Sequence, residues 1–170
     1  MKLWHASVSL DQIVIIRIGV GVHEIDTSHP AFTINSTVLA TEVVLLGTEG
    51  AILRPLTGKG MDPILRFEHG VARIHNVRLE GFLTVSGGTV HAQNVAFTAQ
   101  LTLTSGSLHV ADCNFDNTAT VDALGAHGAL RVSGGRATLA NSMFVNNTRY
   151  GGSVSGAGGA LQIEGGETTA

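Results

Sequence analysis

The chain of 170 residues contains one cysteine, Cys113, so an internal disulfide framework is excluded. Charged residues make up 14% of the chain and aromatic residues 5%, the net charge is −3, and there is no basic run. That balance excludes nucleic acid as a default partner. No apolar stretch reaches the ~18 residues that a membrane-spanning helix needs. The apolar run from Ile13 to Val22 is broken by Arg17, and Lys2 is the only positive charge ahead of it. It reads as a first strand, and no signal peptide is expected within the chain. The only three prolines, Pro30, Pro55 and Pro63, mark connections. What is abundant is Gly, with 22 residues, together with Val, Thr and Leu. That mixture suits short strands and tight turns.

One thirteen-residue pattern starts at Phe67, Val85, Leu103 and Val132, and a fifth copy starts at Ile163. Two residues before each start stands a leucine (Leu65, Leu83, Leu101, Leu130, Leu161), with Arg66, Thr84, Thr102, Arg131 or Gln162 between. Apolar–polar–apolar alternation marks a strand with one buried face. A turn follows at His69-Gly70, Gly87-Gly88, Ser105-Gly106, Gly134-Gly135 and Gly165-Gly166. A second alternating strand then points Ala72/Ile74, Val90/Ala92, Leu108/Val110 and Ala137/Leu139 inward. The ninth position beyond each start holds Asn76, Asn94, Asp112 and Asn141. The twelfth holds Leu79, Phe97, Phe115 and Phe144.

Such a period means stacked equivalent units. Three short strands per turn describe an all-β solenoid whose coils stack ~4.8 Å apart. The Phe column then becomes a continuous internal stack. The Asn column becomes a ladder of amides at a buried corner, where an unpaired polar group costs about 1–3 kcal/mol. The starts lie 18, 18, 29 and 31 residues apart. The extra residues form two loop insertions, 116–129 and 145–160, and insertions of this kind are the usual binding parts of a solenoid. Asp116, Asp122, His127, Asn146, Arg149 and Tyr150 are their candidate binding residues.

Ahead of the regular units, Ile13–Ile16, Val22–Ile25, Phe32–Ile34, Val43–Leu46 and Ala51–Leu53 read as further strands. The expectation is a single domain over 1–170, with about seven coils spanning roughly 34 Å and residues 1–12, which include Trp4, as an N-terminal cap. A solenoid needs polar caps, and Ala170 follows closely on a Gly turn. A fragment of a longer solenoid is therefore expected, with further coils or a cap at the C-terminal end.

The segment Val20-Gly-Val-His-Glu-Ile, then Phe32-Thr-Ile and Leu45-Leu-Gly-Thr-Glu-Gly-Ala-Ile, resembles the opening coils of the right-handed parallel β-helix of the pectate-lyase-like class. Gly128-Ala-Leu, Phe144-Val-Asn-Asn and Gly159-Ala-Leu resemble short repeats of polymorphic outer-membrane and autotransporter-like adhesins. The resemblance implies a right-handed β-helix on the cell surface or outside the cell, with a polysaccharide or cell-surface partner. A left-handed hexapeptide solenoid would also suit an 18-residue coil, but no six-residue aliphatic repeat is present.

Relatives of the pectate-lyase class hold calcium with clustered aspartates and abstract a proton with a basic residue. The aspartates near one corner here are Asp112, Asp116 and Asp122, and calcium needs several converging oxygens. The competing reading makes Asp112 a ladder residue and the other two solvated. No cofactor is expected, with calcium at these aspartates the exception to look for. Polygalacturonase-like relatives use paired carboxylates, and no such pair occurs. Without one, Ala126-His127-Gly128 carries no chemistry, and no catalytic residue is assigned. His91 and His109 share an outward column one unit apart with no third metal ligand, so solvated surface histidines are expected. Thr84 and Thr102, flanked by Arg66 and Arg131, are ordinary strand residues. Cys113 shares its column with Val77, Val95 and Ser142 and is expected as a small buried hydrophobe. Asn35-Ser-Thr and Asn146-Asn-Thr are glycosylation sequons, which matter only on a eukaryotic secretory route. The reading is a non-catalytic scaffold, adhesive or carbohydrate-binding segment. The alternative is a fragment or relative of a polysaccharide lyase or hydrolase that acts on acidic glycans.

Overall fold

The structure, a computed structural model, describes residues 13–26, 33–34, 42–56, 63–116, 129–147 and 160–169. Among the described residues all regular structure is strand. In chain order the strands are β1 (Ile13–Ile18), β2 (Gly21–Ile25), β3 (Thr33–Ile34), β4 (Glu42–Gly47), β5 (Ala51–Pro55), β6 (Leu65–Phe67), β7 (Val71–His75) and β8 (Arg78–Leu79). They continue as β9 (Leu83–Gln93), β10 (Ala96–Phe97), β11 (Leu101–Ala111), β12 (Asn114–Asp116), β13 (Leu130–Val132), β14 (Arg136–Ala140), β15 (Met143–Val145), β16 (Leu161–Ile163) and β17 (Glu167–Thr169).

Every strand pairing among the described residues is parallel. Parallel neighbours cannot be joined by a tight hairpin. Here the connections are themselves strands of the other rows. One row runs β3, β6, the first part of β9, the first part of β11, β13, β16. A second runs β1, β4, β7, the later parts of β9 and β11, β14, β17. A third runs β2, β5, β8, β10, β12, β15 and forms a separate six-stranded sheet. The first two rows merge into one eleven-stranded sheet.

The merger corrects one expectation from the sequence. The glycines were read as turns that end a strand. At Gly87-Gly88 and Ser105-Gly106 the strand instead continues, and β9 and β11 each run eleven residues. The bend is taken up by register shifts between Leu103, Ser105 and Ser107. Gly106 has φ +84°, and a Cβ there would lie 2.4 Å from the carbonyl oxygen of Gly88. Gly88 stands in the same relation to Gly70. The bend is therefore a column in which each glycine sits against the carbonyl of the one before, and only hydrogen fits between them.

Alternation places every second residue inside. Leu65, Phe67, Leu83, Val85, Leu101, Leu103, Leu130 and Val132 are at most 1% exposed. Ala72, Ile74, Val90, Ala92, Leu108, Val110, Ala137 and Leu139 are buried on the second row. These side chains form one continuous hydrophobic cluster. Each large one contributes about 1.5–3 kcal/mol by leaving water. Leu161 is only half-buried and Ile163 is 52% exposed, because β16 is the last strand of its row.

The described boundaries also trim the two insertions. Asp116 and Val145 pair with each other as the last residues of β12 and β15. Ala129 is fully buried and its carbonyl accepts the N–H of Leu101, while the carbonyl of Ala160 accepts that of Leu130. These four residues belong to the stack, not to loops. Pro55 closes β5 and is not a separate connection. The cap expected over 1–12, the interiors of the insertions at 117–128 and 148–159, Phe32 and the Asn35 sequon lie outside the described residues.

Candidate functional site

Asn76, Asn94, Asp112 and Asn141 follow the second-row strands, and all four have left-handed backbones, with φ of 55°, 52°, 54° and 49°. Asn and Asp tolerate this region better than other residues with a Cβ. The corner they form is exposed, which corrects the buried corner expected from the sequence. Backbone conformation, not the need to satisfy a buried amide, accounts for the residue type. The Nδ2 of Asn94 donates to Oδ1 of Asn76 at 2.9 Å, and the Nδ2 of Asn141 donates to Oδ1 of Asp112 at 3.3 Å. The rungs are paired in twos because a carboxylate only accepts.

A second corner repeats the device. Asn146 has φ 53°, and its Nδ2 donates to Oδ1 of Asp116 at 3.5 Å. The Nδ2 of Asn147 donates to the carbonyl of Phe115 at 2.9 Å. Asp116 and Asn146, read from the sequence as binding-loop residues, thus bond one another across neighbouring strands. Asp122, His127, Arg149 and Tyr150 lie outside the described residues.

Inside the third row the Phe column is a ring stack. Phe97 and Phe115 have centroids 4.6 Å apart at 12°, and Phe115 and Phe144 are 4.5 Å apart at 5°. The ring separation is close to the strand spacing, so the register imposes it. Phe115 is fully buried, while Phe144, on the last strand of the row, is half-buried.

The outward face of the second row carries the titratable groups. Arg73, His91, His109 and Thr138 stand in register on β7, β9, β11 and β14. The rings of His91 and His109 stack with centroids 4.7 Å apart at 14°. Burial first, then His109 and Arg73, pull the pKa of His91 below its usual 6.5, with Glu42 opposing. His75 and Gln93 occupy the next outward column.

Several charges are paired across neighbouring units. Arg54 pairs with Glu24, Arg73 with Glu42, Arg131 with Glu164 and Arg136 with Glu167, while Arg78 pairs with Glu80 on its own unit. These pairs were not read from the sequence. The available signal was opposite charge at the unit spacing, since partners lie 30, 31, 33 and 31 residues apart. Exposed pairs of this kind contribute about 0–1 kcal/mol each, so they tune register more than they hold the fold.

Cys113 is buried, and its Sγ lies 3.1 Å from the carbonyl oxygen of Ala111, to which its S–H donates. Burial pushes the thiol up to about 11. Among the described residues no group of three or more His, Cys, Asp and Glu side chains could hold a metal ion. Asp112 and Asp116 each spend an oxygen on an asparagine amide. No described helix is long and apolar enough to cross a membrane.

No family model, curated protein or solved structure matches this chain.

Proposed function

We propose that the chain is a segment of a right-handed parallel β-helix of about seven coils, belonging to a surface or extracellular protein. It acts as a non-catalytic scaffold that presents an adhesive or carbohydrate-binding face. Three rows of parallel strands, returning after 18, 29 or 31 residues, support the coil reading. The observation that carries the functional reading is how the aligned carboxylates are used. Glu24, Glu42, Glu164 and Glu167 are each held by an arginine of the neighbouring unit, and Asp112 and Asp116 by asparagine amides. A general acid or base needs a carboxylate facing a substrate, and these face their own neighbours. Outward columns at near-constant spacing suit an extended, repetitive ligand.

The test is binding of the purified chain to arrayed neutral and acidic glycans, with absorbance of new unsaturated sugar ends followed with and without calcium. Binding without turnover is the expected result. New unsaturated ends would replace this reading with that of a polysaccharide lyase. Absence of any glycan binding would leave the adhesive scaffold and remove the carbohydrate-binding face.

A further inference from the structure

We propose that the outward face of β7, β9 and β11 is an acid-gated anion-binding surface, which takes a sulfated or carboxylated glycan laid along the column Arg73, His91, His109. The proposal rests on the carbohydrate-binding part of the reading above and adds the charge class of the ligand and the condition for binding.

The argument starts from what faces outward. On β4 this is Glu42, on β7 Arg73 and His75, on β9 His91, on β11 His109, on β14 Arg136 and on β17 Glu167. Arg17 of β1 lies two strands from His75 in the same column. Glu42 pairs with Arg73 and Glu167 with Arg136, so the fixed charges on these six strands cancel. The remainder is three imidazoles: His75, His91 and His109. Thr89 and Ser107 lie alongside the stack and add uncharged polar groups to the face. Protonation of the histidine pair adds positive charge, and the carboxylates among these groups, Glu42 and Glu167, are already held by arginines.

Geometry makes the histidine pair the centre. Two rings 4.7 Å apart and nearly parallel repel once both are protonated. An anionic group lying over both edges offsets that repulsion and receives an N–H from each ring. Arg73 donates its Nε–H to Glu42, and its guanidinium has four more N–H donors for the next anionic group along the column. The three side chains repeat at the strand spacing, so a chain with an anionic group every few ångströms meets them in succession. The lowered pKa of His91 comes first from burial, and the neighbouring His109 and Arg73 add to it by disfavouring its protonated form.

The experiment is titration of the chain with a short dextran sulfate and with unmodified dextran, at about pH 5 and about pH 8. Dextran sulfate is expected to bind at least about tenfold more tightly at the lower pH, with dextran showing no such change. His91→Gln/His109→Gln, on a half-exposed outward column, should abolish that gain. His23→Gln/His69→Gln removes two imidazoles elsewhere and should keep it. Imidazole proton resonances of His91 should titrate at higher pH with dextran sulfate present. Equal loss in the two double variants would overturn the proposal, because binding would then follow net charge alone. Absence of any pH-dependent gain would overturn it too. Binding of neutral glycans without that gain would overturn the anion site yet leave the carbohydrate-binding face standing.

Discussion

Asn141 donates its amide to Asp112 at 3.3 Å, and Asp112, as a carboxylate, has no N–H to pass on toward Asn94. Asn94 turns instead to Asn76, at 2.9 Å. Asp112→Asn supplies the missing donor and keeps a side chain suited to φ 54°. The variant should be more stable by up to about 1 kcal/mol, the ordinary net worth of one such bond. Urea unfolding checks this. A midpoint at or below that of the parent would show that the rungs do not stabilise the corner.

The glycine column should tolerate no side chain. Gly106→Ala combines a positive φ with a Cβ 2.4 Å from the backbone oxygen of Gly88. The conformation alone costs about 1–2 kcal/mol, and moving a backbone carbonyl adds to it, so a loss above about 2 kcal/mol is expected. Gly19→Ala, where a Cβ meets nothing within 4 Å, should change the melting temperature little. Equal losses in the two variants would remove the close-approach argument.

Phe115 lies between Phe97 and Phe144 with no exposed surface. Phe115→Ala should cost about 3–5 kcal/mol through lost burial and the cavity left behind. Phe115→Asp should cost more, because it buries an unpaired charge. A Phe115→Asp protein that melts like the parent would contradict the internal stack.

His91 makes stability depend on pH with a definite sign. Its folded pKa lies below the unfolded value of 6.5, so the native state binds the proton less readily than the unfolded chain. Stability from this group is fully present above 6.5 and is lost as pH falls through the lower folded value. Unfolding of the parent and of His91→Gln, compared above and below that pH, should show a shallower acid decline in the variant. An identical decline would exclude His91 as its source.

Cys113 should be chemically silent while the chain is folded. A thiol raised from 9.0 to about 11 keeps only about a thousandth of its population as thiolate at about pH 8. Burial adds a steric block. Alkylation should therefore run at least about a hundredfold slower than in denaturant. Similar rates in both conditions would place the thiol at the surface.

Strands and their buried faces are legible in the chain because alternation is a local property: two residues apart means the same side of a strand. The same logic exposes Asn, Asn, Asp, Asn at one column and Phe, Phe, Phe at another. The bend inside β9 and β11 was misread because a glycine signals a change of direction without saying whether pairing continues through it. The aspartates grouped as a calcium corner share a region of sequence, but Asp112 and Asp116 meet different asparagines.

Composition and period alone settle that the chain is β-rich, built from repeated short strands with Leu, Val and Phe inside and Gly at the bends. Pairing settles the rest. It matches Ile13–Ile18 with Glu42–Gly47 although the two segments share no motif. It joins arginines to glutamates about thirty residues away, and it turns two surface histidines into a ring stack. It also sets the left-handed backbone of the asparagine corner, where the chain leaves one row of strands for the next. These features depend on which strand lies alongside, and a contact across 18 to 31 residues leaves no mark on the local pattern of the chain.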